Sequence, residues 1–134
     1  AHRTPILEAQ EYARRQFGSG SLPDHERYGR YCPEVFQGFM TFRQGAFMEP
    51  PGGALPSKYK ELVATAVEAA MVVPSRGHGR TAIDEGATLQ ELAETMSLCI
   101  ILAGMVSYRH SGGAALQGAE ERAKELAEGK ALRG

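Results

Sequence analysis

The histidines are the side chains of this sequence best suited to chemistry at neutral pH, and their spacing narrows what that chemistry is. They stand at His2, His25, His78 and His110. No H-x-x-x-H or H-E-x-x-H spacing places two of them on one helix face, so no metal site is expected. His78 lies in the break "VVPSRGHGR", between a helical stretch that Pro74 ends and a second one that starts close by. An imidazole there can donate or accept a proton near pH 7. The thiols are less promising. Cys32 and Cys99 form no CxxC pair, and Cys99 lies in the apolar run "SLCIILAG", where burial disfavours the reactive thiolate. No GxGxxG, GxxxxGK[ST] or G-x-S-x-G pattern occurs, and no cofactor is expected.

The elements that must position these residues read as helices throughout. Apolar residues recur at helical spacing, and no segment alternates as a strand does. Ile6 to Phe17 suggest a first helix that "GSGS" ends, and Pro23 with Asp24 opens a short helical turn. Cys32 to Phe47 carries Val35, Phe36, Phe39 and Met40 on a broad apolar face, with Pro33 suited to a first helical position. "MEPPGGALP" makes a loop. Ser57 is the expected N-cap of a helix running to Met71, and Gly79 to Glu85 form a short helix that Gly86 caps. Thr88 and Glu91 have the spacing of a capping box, which starts a long helix through "LQELAETMSLCIILAG". The second half of that helix is apolar all round, which implies burial in the core or in an oligomer interface. A last helix runs from about Ser107 to Glu128.

Composition bounds the partners. At 134 residues and 43% hydrophobic, the chain is the size of one domain with a substantial core, and residues 1–134 are read as a single domain. Lys and Arg number 15 against 16 Asp and Glu, leaving no basic surplus for a nucleic-acid backbone. No apolar run reaches the roughly 18 residues of a membrane span. The N-terminal stretch lacks the charged-then-apolar order of a secretory signal, and a cytoplasmic location is expected.

Three stretches taken together, "YCPEVFQGFMTFRQGAF", "GALPSKYKELVATAV" and a histidine followed by "AIDEGATLQELAE", resemble the carboxymuconolactone decarboxylase and alkylhydroperoxidase D superfamily. The resemblance spans roughly residues 31 to 116. It implies an all-α, alkylhydroperoxidase D-like fold of about six helices, assembled into homotrimers, homohexamers or other rings. It also implies one of two chemistries. The peroxidase-like branch uses a glutamate, a histidine and a CxxC pair; the CxxC positions fall in residues 71–77 here, and neither is cysteine. The decarboxylase branch lacks the cysteines and acts on a carboxylated lactone.

Residue by residue, Glu61 matches the glutamate of the family's "KEL" segment and His78 matches its histidine. His110, in "ILAGMVSYRHSGGAA", matches a second histidine of the decarboxylases. A glutamate usual in that branch four residues before the first histidine is Pro74 here. The expected catalytic set is therefore Glu61, His78 and His110. Glu61 would orient a histidine or act as a base, and the histidines would protonate the carbanion left by decarboxylation. Arg76 and Arg109, with Tyr108, are the expected substrate-binding residues, because guanidinium groups hold carboxylates through paired hydrogen bonds. The expected activity is cofactor-free decarboxylation or related proton transfer on a small carboxylated metabolite. The alternatives are a divergent peroxide-reducing protein and a non-catalytic binding or assembly member of the family.

Overall fold

The computed structural model describes residues 22–129 together with Glu8, Glu11 and Tyr12. Among the described residues there are only helices, turns and loops, and six of the helices are nine residues or longer: α1 (Leu22–Tyr31), α2 (Pro33–Ala46), α3 (Ser57–Ala70), α4 (Arg76–Asp84), α5 (Leu89–Ala103) and α7 (Gly113–Ala127). Between the last two lie a three-residue turn, α6 (Met105–Ser107), and a π-helical segment, Tyr108–Gly112. The expected helix over Ile6 to Phe17 lies almost wholly outside the described residues. None of the described helices is long and apolar enough to cross a membrane.

Packing divides the chain into two compact units, 1–53 with 133–134, and 54–132. In the first, Pro33 opens α2 as expected, since its missing N–H would have had no helical partner there. Phe36 and Met40, one turn apart, are buried in a cluster with Tyr12. Val35, Phe39 and Phe42 form a second apolar stripe on α2 that stays exposed. The turn expected at Pro23 is a full helix of ten residues.

The second unit carries the residues of interest. Its core joins Leu62 and Ala69 of α3, Ala82 and Ile83 of α4, Leu92, Met96 and Cys99 of α5, and Ala119 of α7. Helix α4 lies against α7 at very close range. A Cβ on Gly79 would sit 2.4 Å from the Ala115 carbonyl oxygen, and one on Gly118 would sit 2.8 Å from Arg76 Cγ. Ion pairs run along the same seam. Arg76 pairs with Glu121, Arg80 Nη2 lies 2.7 Å from Glu125 Oε2, and the buried Arg122 donates to Asp84 Oδ1 at 2.6 Å.

Several element boundaries differ from those expected. Pro56 occupies the N-cap position of α3, so Ser57 is its first helical residue rather than its cap. Helix α4 starts at Arg76, three residues before the expected Gly79, because Gly79 serves the contact with α7 and neither it nor Gly77 breaks the helix. The capping box of α5 forms as read: the Thr88 hydroxyl accepts from Glu91 N–H at 3.0 Å, and the Glu91 carboxylate accepts from Thr88 N–H at 2.9 Å. The apolar second half of α5 reaches the core only through Cys99. Within one chain Leu98, Ile101 and Leu102 are 62%, 79% and 84% exposed.

Candidate active site

The site is built where α3 passes the first turn of α4. Glu61, Thr65 and Glu68 are spaced i, i+4, i+7 and therefore share one face of α3. His78 is the third residue of α4 and presents its ring to that face. Its Nδ1 lies 2.6 Å from Glu61 Oε2, and its Nε2 lies 3.6 Å from Glu68 Oε1. The first contact is a hydrogen bond, and the second is an ion-pair distance too long for one. The Thr65 hydroxyl donates at 2.7 Å to the Glu61 carbonyl and so does not compete for the carboxylate.

Burial separates the two carboxylates. The Glu61 side chain is 4% exposed, whereas Glu68 is 29% and His78 is 23% exposed. A buried carboxylate needs a strong partner, and His78 supplies it. With Glu61 ionised, Nδ1 carries the hydrogen and donates it, which fixes the ring and leaves Nε2 on the side of Glu68.

The turn before α4 is anchored from a different direction. Helix α3 ends at Ala70, and Val72 follows with φ of 57°, a left-handed conformation that a β-branched residue rarely adopts. Val73 N–H and Val72 N–H reach back to the Glu68 and Ala69 carbonyls, each at 3.0 Å, closing the end of the helix. Ser75, wholly buried, donates to the Ser111 carbonyl at 2.9 Å, and the Ser111 hydroxyl donates to the Val73 carbonyl. These bonds tie the start of α4, and with it His78, to the π-helical segment.

That segment carries the other expected residues. Arg109 and His110 are exposed on it, and among the described residues neither side chain makes a hydrogen bond or ion pair. Tyr108 is half-buried and packs on the core of the second unit. Thus Glu61 and His78 are brought into contact, whereas His110 is beside neither of them at bonding distance. Arg76, expected to bind substrate, is engaged by Glu121 on the seam with α7. Glu68 is the residue that reading the sequence did not single out. Its signal was its place two helical turns beyond Glu61 on the same face.

Residues 33–126 match the carboxymuconolactone decarboxylase family model. The chain belongs to the carboxymuconolactone decarboxylase family. A crystal structure of a proposed carboxymuconolactone decarboxylase from Burkholderia xenovorans LB400 is similar over 95% of this chain and 97% of that one, at 28% identity and a TM-score of 0.84. No curated protein matches the chain.

A largely apolar groove of about 480 Å³ runs between α3 and α5, lined by Val63, Ala66, Val67, Leu98, Cys99 and Leu102 among others. It contains none of Glu61, His78 and His110, because the α3 residues that line it lie around the helix from Glu61 and Glu68. Cys99 is likewise apart from the histidine. Cys32 and Cys99 are both free, and Cys99 lies in the groove wall with its Sγ 3.6 Å from the Ala66 carbonyl oxygen. Burial pushes the Cys99 thiol up from its ordinary range. Among the described residues no three His, Cys, Asp or Glu side chains are arranged to hold a metal ion.

Proposed function

We propose that this family member is a cofactor-free acid/base enzyme that decarboxylates a small carboxylated metabolite, lactone or ring-derived, or carries out a related proton transfer on it. One observation carries the reading: His78 is held by the buried Glu61 at 2.6 Å through Nδ1, which leaves Nε2 as the end that can meet substrate. Loss of CO2 beside a carbonyl leaves an electron pair on carbon, stabilised as an enolate. That carbon must then be protonated, and a fixed imidazole is suited to do so at neutral pH.

Carboxylate binding falls to Arg109 in this reading. It is exposed on the π-helical segment, which packs against α3 and is tied to the start of α4. Arg76 is the weaker candidate because Glu121 already neutralises it. His110 adjoins Arg109 in the chain and is a second donor on the same segment. The same reading includes self-association through the apolar groove between α3 and α5. Thiol-based peroxide reduction is disfavoured by the raised Cys99 thiol and by its place away from His78.

The test is CO2 release from a panel of aromatic and lactone carboxylates by wild-type protein, His78→Ala and Glu61→Gln. Removing the acid should lower kcat/KM by roughly 10²- to 10⁴-fold. Turnover in His78→Ala equal to wild type would sink the proposal.

A further inference from the structure

His78 is held between two carboxylates, one at each ring nitrogen, and the second has no role in the mechanism so far. A neutral imidazole has one N–H and one lone pair. Glu61, 2.6 Å from Nδ1, takes the N–H. The lone pair on Nε2 would then point toward Glu68 Oε1 at 3.6 Å, an oxygen shielded from solvent. Lone pair against carboxylate in a screened gap is repulsive, and one more proton in that gap makes the contact attractive. The charged neighbours on α4 do not alter this locally, since Arg76 and Arg80 are turned to Glu121 and Glu125 of α7.

Resting on the acid/base reading of His78, we infer that Glu68 is a positioning residue of the site: it keeps a proton on His78 Nε2 and returns one there from solvent after each turnover. Glu61, His78 and Glu68 act as one unit that holds two protons, one in each gap. The two carboxylates divide the work by burial. Glu61, 4% exposed, is nearly closed to water and fixes the ring; Glu68, 29% exposed, can exchange protons with solvent. The Nε2 to Oε1 distance suits this role, because a proton not locked in a hydrogen bond is free to leave. In the turnover the proton on Nε2 passes to the substrate carbon whose electron pair CO2 left behind. Nε2 keeps the N–H bonding pair as its lone pair, and a solvent proton arriving by way of Glu68 restores the starting state.

The placement of the proton is read directly from the ring. Long-range proton–nitrogen spectra of the 15N-labelled full chain at pH 7, with the His78 signals identified by their loss in His78→Gln, should show both ring nitrogens protonated. In Glu68→Gln, checked for unchanged urea unfolding, Nε2 should become an unprotonated, pyridine-like nitrogen. With an active substrate, Glu68→Gln should also lose kcat by on the order of 10-fold or more with KM little changed. A pyridine-like Nε2 in the wild type, or an identical ring spectrum in Glu68→Gln, overturns the inference. The spectra need no substrate. Expected spectra with no decarboxylation would therefore sink the proposed activity alone, whereas turnover with unchanged spectra would sink only the role of Glu68.

Discussion

Gly79 of α4 and the Ala115 carbonyl of α7 are so close that no side chain fits between them: a Cβ would stand 2.4 Å from the oxygen. The obstacle is backbone, which cannot rotate away. Gly79→Ala is therefore expected to destabilise the fold by about 1–3 kcal/mol through overpacking. Gly77, two residues earlier, has nothing within 4 Å of its Cβ position. Gly77→Ala should be neutral or stabilising by up to about 1 kcal/mol, as expected for glycine in a helix. Urea unfolding of the two variants side by side checks the contrast, and equal stabilities would show that α4 and α7 do not approach as described. Because Gly79 follows His78, the same displacement should weaken the contact with Glu61.

Three carboxylates should make stability fall on the acid side. Thr88 N–H and the Lys58 ammonium hold Glu91 below its ordinary range; Arg76 does the same for Glu121, and Arg80 with Arg122 for Glu125. A carboxyl lowered in the folded state binds its proton more readily when unfolded. Its contribution is thus present above the ordinary glutamate value of about 4.3 and is lost as pH falls through the lowered folded value. Urea midpoints measured from pH 6 to pH 3 should drop below about pH 4, with a shallower drop in Glu121→Gln. All three groups are solvent-facing, so the effect is modest and weakens in high salt. A wild-type midpoint constant down to pH 3 would contradict the assignment.

How far the sequence revealed these features depended on the range of the interaction behind each. The Thr88 and Glu91 capping box and the Pro33 helix start are local, and both are present as read. The start of α4 was misplaced because Gly77 and Gly79 look like a break, whereas Gly79 is demanded by a helix 36 positions further on. His78 and Glu61 were matched by family resemblance. Glu68 was missed because its relation to His78 arises only from how α3 and α4 cross. Val72 gave no sign of its left-handed backbone either. The bonds from Val73 to Glu68 and from Ser111 to Val73 hold that turn, and neither is legible from neighbouring residues.

The apolar half of α5 leads to the last prediction. Leu98, Ile101 and Leu102 on α5, with Val63 and Val67 on α3, are all more than half exposed in a single chain. Groups of large apolar side chains on this scale mark interaction surfaces. Helix α5 is held by its capping box and by Leu92 and Met96 in the core, so its outer face can be changed without loss of fold. Wild-type protein is expected to sediment as a homo-oligomer. Each buried leucine contributes about 1.5–3 kcal/mol, so the double variant Leu98→Glu, Leu102→Glu should raise the dissociation constant by at least roughly 10²-fold and sediment as a monomer, with urea unfolding of the isolated chain little changed. A wild-type protein that sediments at its single-chain mass at high concentration would remove self-association from the proposed function while leaving the Glu61 and His78 chemistry untouched.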